Sequence, residues 1–287
     1  MTWMPLVSVL TPSLNHARFV EDCLVSVARQ DYQNIEHVIV DGGSTDGTLE
    51  AVRRYEGDGC RILVLPQSSQ AGALNAALAE SRGDVIGWVN TDDGYFGVDA
   101  VSCAVAALRD DGECLAVYGD GVIVDERGVL LRHVSTSAAA LAKLPPLSPL
   151  VQPATFVRRK AVDDGFVRED LEVVLDYELW LRLSRKGRFR KVERVLAVDR
   201  DHGARKTQVA VARKDEELGS LADEYGLHRG ERGAAARARA WGRRVRGLRE
   251  VVAVESRYDF AFPVTTDARW RRAARQLLLP QRYLERL

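Results

Sequence analysis

The chain has 287 residues, of which 46% are apolar and 29% charged, and its formal net charge is zero. Those values describe an ordinary soluble globular protein with a proper core in one large or two small domains. No segment approaches the roughly 20 apolar residues needed to span a bilayer, which argues against a membrane-spanning chain. The zero hides an asymmetry: from Arg229 to the end there are 15 Arg and 6 acids, so this tail carries +9 and the first 228 residues −9.

In chain order, Leu6 to Thr11 reads as a strand stopped by Pro12, and Ala17 to Gln30 has helical spacing. "IEHVIVD", ending at Asp41, is a second strand, followed by a helix to about Tyr55 that Ser44 or Asp46 can cap. "RILVL" is a third strand, "AGALNAALAES" a small-residue helix, Val85 to Asn90 a fourth strand, and Asp99 to about Arg109 another helix. This alternation predicts βαβ units and a mostly parallel sheet with helices on both faces, a Rossmann-related arrangement. From about Ala116 the texture changes to strands with a hairpin at Glu126-Arg127-Gly128, then the Pro-rich loop "KLPPLSPLVQP". A helix from Leu175 to Lys186, a strand or two in "FRKVERVLAVDRDH", and a helical, increasingly basic stretch beyond Lys206 complete the chain. The expected organisation is a main body over 1–228, with halves 1–115 and 116–228, and a basic helical extension over 229–287. Four scattered cysteines without metal-ligand spacing suit free thiols in a reducing compartment, and the N-terminus lacks a basic signal-peptide region. A cytoplasmic location is expected, at most peripheral to a membrane.

In such sheets ligands lie outside the carboxyl ends of the strands. Thr11, Asp41 and Asp92-Asp93 each close a predicted strand and should share one rim. Two adjacent carboxylates repel unless a cation lies between them and a ligand, and Asp92-Asp93 suit hard Mg²⁺ or Mn²⁺. A solvated turn with an Asx cap is the plain alternative. Asp41 followed by Gly-Gly suits hydrogen bonding to a ribose or base, or a glycine-flanked cap. No G-x-G-x-x-G follows the first strand, so the dinucleotide fingerprint is absent.

The blocks "VSVLTPSLN", "VIVDGGSTDGT", "GDVIGWVNTDD", "QPATFVRR" and "LDYELWLRL" occur in the order found in family 2 glycosyltransferases of the GT-A fold, over residues 5 to 207. The resemblance implies inverting transfer of a sugar from a UDP-, GDP- or dTDP-sugar to an acceptor hydroxyl of a glycan, a lipid-linked sugar or a natural product, with Mn²⁺ or Mg²⁺. Residue by residue, it implies nucleotide contacts at Thr11, Pro12, Asp41, Gly72, Asn75 and Asp92, metal ligation at Asp93, and a catalytic base at Asp176. Asn90 stands where many members have the first Asp of their "DXD" block. An inverting displacement needs a carboxylate to accept the hydroxyl proton, which suits Asp176 independently of the family, with Glu178 as competitor and a helix cap as the plain alternative. His202 is a candidate metal or diphosphate ligand; Arg200, Arg205 and Lys206 are candidates for phosphate oxygens. Gln152 is a candidate sugar contact, and Phe156 suits the core equally well.

In the tail, Trp241, Val245, Leu248 and Val252 share one helical face, with Trp270, Ala274 and Leu277 repeating the idea. Basic amphipathic helices of this kind suit an anionic membrane surface, packing on the acidic body, or a homodimer; nucleic-acid binding ranks lowest. Two rival functions are a nucleotidyltransferase, which "TPSLNHARF" disfavours because it lacks a Gly-rich basic phosphate loop, and a non-catalytic sugar-nucleotide scaffold, which would tolerate loss of Asp93 or Asp176.

Overall fold

Strand β1 spans Val7–Ser13 and runs through Pro12, where the sequence predicts a stop. The backbone explains why. Leu10 O accepts from Val89 N, so residues 10 and 12 turn toward β4. The pairing with β4 ends at Leu10↔Trp88, leaving no acceptor for the N–H that Pro12 lacks.

The computed structural model describes residues 3–57, 59–138, 148–227 and Ala261. After β1 come α1 (Val20–Ala28), β2 (Ile35–Asp41), α2 (Thr48–Arg53), β3 (Cys60–Val64), α3 (Gln70–Glu80), β4 (Val85–Trp88), β5 (Gly94–Tyr95) and α4 (Ala100–Asp110). The second half holds β6 (Ala116–Val124), β7 (Leu130–Val134), β8 (Thr155–Arg158), α5 (Leu175–Lys186), β9 (Phe189–Arg200), α6 (Lys206–Val209) and α7 (Val211–Tyr225). The basic extension over 229–287 lies outside the described residues except for Ala261, whose N–H donates to Phe96 O at 2.9 Å. Among the described residues, no helix is long and apolar enough to cross a membrane.

The described strands form one nine-stranded sheet in the order β3-β2-β1-β4-β8-β6-β9-β5, with β7 paired to β6. The segment β3-β2-β1-β4 is parallel, as the alternation of strands and helices predicts. Beyond β4 the sheet becomes mixed: β8 runs antiparallel to β4 and β6, β9 runs parallel to β6, and β5 antiparallel to β9. The hairpin predicted at 126–128 joins β6 to β7, with Asp125 Oδ1 accepting from Arg127 N and Val129 N and Gly128 at φ +79.

The strand order has a geometric consequence. β4 and β5 are joined by residues 89–93 alone but lie four strand steps apart in the sheet, about 19 Å if it were flat. A fully extended connection would reach about 20 Å, yet this one turns tightly, with Asp93 N donating to Asn90 O. The sheet must therefore curl into a half-barrel, folding β9 and β5 back over the carboxyl end of β4. That curl builds the site.

Successive side chains alternate between the two faces. Val7, Val9, Val85 and Val89 pack with Cys23 and Val27 of α1 and Val101 and Ala104 of α4. Leu10, Val38, Val40 and Ile86 pack with Leu74 of α3 and Leu175, Leu179 and Leu183 of α5. At Gly83, just before β4, a Cβ would lie 2.5 Å from Ser8 Oγ, 2.6 Å from Ser8 N and 2.7 Å from Leu6 O. Two of those atoms are backbone of the neighbouring strand segment. Gly83→Ala is therefore expected to destabilise by about 1–3 kcal/mol, lowering Tm by roughly 2–10 °C in a thermal melt.

Candidate functional site

The pairing Gly94↔Val198 sets the end of β9 against the Asp92-Asp93 turn. Asp93 Oδ1 accepts from Arg200 N at 3.0 Å, and Asp93 Oδ2 from Asn90 Nδ2 at 3.2 Å. Asp92 Oδ2 meets His202 Nε2 at 2.9 Å. His202 is buried against Phe19, ring centroids 4.8 Å apart, and lies edge-on to His16, whose Nδ1 meets Thr91 Oγ1 at 2.6 Å. Arg200 is a buried clamp: it donates to the carbonyls of Asp92 and Glu126, pairs with Asp22 at 2.5 Å, and lies over the Phe19 ring. Asn90 replaces a charged group with a hub. Its Oδ1 accepts from Trp88 Nε1 and Gln70 Nε2, and its Nδ2 also donates to Gln152 Oε1.

These contacts hold several carboxylates together at one place. Burial raises Asp93 well above the usual carboxylate range, and repulsion from Asp92 and Asp199 adds to it, against partial relief from Arg205 and the Arg200 N–H. Burial also pushes Asp92 upward, but the hydrogen bond from His202 and the charges of His16 and His202 outweigh it and hold it below its ordinary value. Asp199 is raised, chiefly by burial, although Arg205 pairs with it at 2.6 Å.

Asp176 faces the same region from α5. It is the second residue of the helix, whose N-cap is Val174, so its carboxylate does not serve as the cap. Burial raises Asp176 to about 6; hydrogen bonds from Tyr177 N and Ser148 work against this, and the charge of Asp199 adds to it. Glu178, two residues on and so on the opposite side of the helix, is buried and bonded to Arg182 at 3.0 Å and Tyr225 Oη at 2.8 Å. The approach to α5 is pinned by Glu217 of α7, which accepts from the backbone N–H groups of Glu172, Val173 and Val174.

The other expected site residues occupy supporting positions. Asp41 is buried and accepts four hydrogen bonds, from Gly43 N, Ser44 N, Ser44 Oγ and Ser13 Oγ, which fold the loop after β2. Thr11 Oγ1 meets His37 Nε2 at 2.8 Å beneath the rim, with Pro12 buried beside it. Gly72 N donates to the helix cap Ser69 Oγ, and Asn75 ties α3 to the backbone of Val167 in both directions. Gln152 donates to Trp88 O and braces Asn90. Lys206 opens α6 at the surface, and Phe156 stacks on Tyr95 in the core. Sequence reasoning missed Asp199, His16 and Glu217. Asp199 alone left a signal, as an acid directly after the apolar run "VLAV" within β9.

Among the described residues no three His, Cys, Asp or Glu side chains form a ready metal cage. The donor chemistry nevertheless fits a hard divalent ion. Buried carboxylates repel one another there, and Mg²⁺-type sites use one or two carboxylates plus waters and substrate phosphates rather than an all-protein cage. Asp93 and Asp92, with His202 behind, are the groups that would hold it.

A chondroitin synthase from Pasteurella multocida is 30% identical over 196 residues, covering 67% of this chain and 20% of its own length. A hyaluronan synthase from the same species matches at the same identity and coverage, and an uncharacterized glycosyltransferase from Rickettsia felis is 28% identical over 210 residues. The chain thus spans about a fifth to a third of these relatives, 20% to 35% of their lengths. Among solved structures, a mannosyltransferase from Pyrobaculum calidifontis in complex with GDP-Man and Mn²⁺ superposes with TM-score 0.61 at 20% identity, covering 98% of this chain and 78% of that one. TarS of S. aureus gives TM-score 0.60 at 19% identity over 80% of this chain and 41% of that one. The half-barrel sheet and flanking helices are those of GT-A glycosyltransferases. With the profile described as "Glycosyl transferase family 2" matching residues 8–166, more than half its length, the chain belongs to that family.

Proposed function

We propose that the protein is an inverting, divalent-metal-dependent glycosyltransferase that moves a sugar from a nucleoside-diphosphate donor to a glycan hydroxyl. The observation carrying this reading is the Asp92-Asp93 turn at the carboxyl end of β4, held by Arg200 N, Asn90 and His202 in a chain of this family. The names of the relatives favour a glycan acceptor, and the structural neighbours carrying UDP, UDP-GlcNAc or GDP-Man favour a nucleotide sugar.

Asp93 and Asp92, backed by His202, would hold the ion, which when bound supplies charge neutralisation for a leaving diphosphate. The protein's residues do the rest. Arg200 and Asn90 fix the Asp92-Asp93 turn, so its carboxylates need little reorganisation on binding. The exposed side chain of Leu14, against which a Cβ on Gly42 would pack at 3.4 Å, offers an apolar shelf for a base next to the Asp41 loop. Asp176 takes the proton of the acceptor hydroxyl as its oxygen bonds to the anomeric carbon and the bond to the diphosphate oxygen breaks. A base titrating near 6 is mostly ionised at pH 7 and still basic enough to help.

Thermal-shift measurements with UDP, GDP, dTDP and CDP, each with and without Mn²⁺, test the donor. A nucleotide present at 100 times its Kd should add about 2.7 kcal/mol. Asp93→Ala should abolish the metal-dependent part, and a shift that survives unchanged would move the ion elsewhere.

A further inference from the structure

Two guanidinium groups approach the rim acids, and they are bound in different ways. Arg200 is built into the fold through Asp22, two carbonyls and the Phe19 ring. Arg205, at the end of the loop after β9, has as its ion-pair partners the carboxylates of Asp199 at 2.6 Å and Asp201 at 3.8 Å. Its charge is also attracted by Asp93 and Asp92. Gly203 and Ala204, between His202 and Arg205, are exposed, and a Cβ on Gly203 would meet nothing within 4 Å. The arm carrying Arg205 is thus lightly packed, while its head lies among acids.

Charge accounting gives this a meaning. With all three ionised, as a bound cation would require, Asp92, Asp93 and Asp199 carry three negative charges, and Arg205 offsets one. A divalent cation would offset the remaining two, and a diphosphate arriving with the donor would then need a further positive group. We propose that Arg205 is the resident counter-ion of the Asp92–Asp93–Asp199 cluster, a positioning residue that is released from Asp199 when a divalent cation neutralises Asp92 and Asp93, and that turns to the donor's diphosphate oxygens. Arg suits the second role, because its planar fork can engage two phosphate oxygens at once. The exchange would favour ordered loading, metal with nucleotide rather than metal alone, since a lone ion must compete with a tethered charge. The inference rests on the nucleotide-sugar reading given above.

The test is Mn²⁺ titration of the full chain by calorimetry, first without nucleotide and then with UDP or GDP at saturating Mn²⁺. Arg205→Ala should bind Mn²⁺ alone about tenfold more tightly than the wild type, because a competing cation has gone, and bind the nucleotide about tenfold more weakly. Arg205→Gln, which keeps most of the side chain, should show the same two opposite changes, and Arg205→Lys should stay within about threefold of wild type for Mn²⁺. Asp199→Asn should weaken Mn²⁺ alone by about tenfold. A pair that only braced the loop would behave differently: loss of either partner would weaken both ligands together, and that result would overturn the proposal. Wild-type protein that takes neither Mn²⁺ nor nucleotide would sink the donor reading itself. Wild-type binding of both, with unchanged or weaker Mn²⁺ binding by the Ala and Gln variants, would sink the counter-ion role alone.

Discussion

Asp176→Asn is expected to lower turnover by about 10²–10⁴-fold, keep nucleotide affinity near wild type, and raise the melting temperature at pH 7. The first two effects follow from the role proposed for Asp176, the base for the acceptor hydroxyl, which is separate from the donor and metal role proposed for the Asp92-Asp93 turn. The third follows from linkage. The Asp176 carboxyl titrates at 3.8 when unfolded and at about 6 when folded, so the native state holds its proton better. Its stabilising contribution is complete below pH 3.8 and is lost as pH rises to 6. At pH 7 the ionised group is a cost, at most roughly 3 kcal/mol and less because the side chain is only half-buried. Asn removes that cost. The same ionisation sets the rate profile: kcat/KM should fall tenfold per unit as pH drops below about 6. Steady-state kinetics across pH 4.5–8, set beside melts of both proteins, check all of this. A variant that stays active would move the base off Asp176.

Glu217→Ala should be the other severe change, although Glu217 lies on a different helix from the chemistry. Its buried carboxylate accepts three backbone N–H groups, from Glu172, Val173 and Val174, and pairs with Arg213 at 2.9 Å. Hydrogen bonds to a charged group contribute about 1.5–3 kcal/mol each. Some of the released donors can reach water, so the expected loss is about 3–5 kcal/mol in a urea or thermal titration. Because those three residues lead directly into α5, what turnover remains should fall in kcat more than in KM. Equal stability of variant and wild type would show that α7 does not fix the approach to the base.

The contrast between these residues explains what the sequence could tell. Apolar runs closing on Asp41 and Asp92 place carboxylates at strand ends, because a buried parallel strand is a continuous apolar stretch and its carboxyl end is where the chain returns to water. The helix carrying Asp176 is equally legible, since Leu175, Leu179 and Leu183 recur on one side. Glu217 is not. It lies in a run of charges, "RKDEELG", that reads as a solvated face, and only the tertiary approach of residues 172–174 removes it from water. Asp41 shows the same limit from the other side. Its position at the rim follows from the pattern, but its four hydrogen bonds depend on a loop whose course requires Gly43 at φ +94. Arg200 reads as a free cation until the burial of its guanidinium against Phe19 is seen.

The curled sheet also dictates when this protein becomes competent during folding. The turn at 90–93 gains its Arg200 and His202 partners only once β9 has paired beside β5, and those partners lie more than a hundred positions further along the chain. Contacts so distant in sequence carry the largest loop-closure entropy and form slowly. In a refolding experiment, burial of Trp88 and Trp180 should therefore precede the recovery of nucleotide affinity, and a ribosome-bound chain shorter than about 200 residues should be unable to hold its donor.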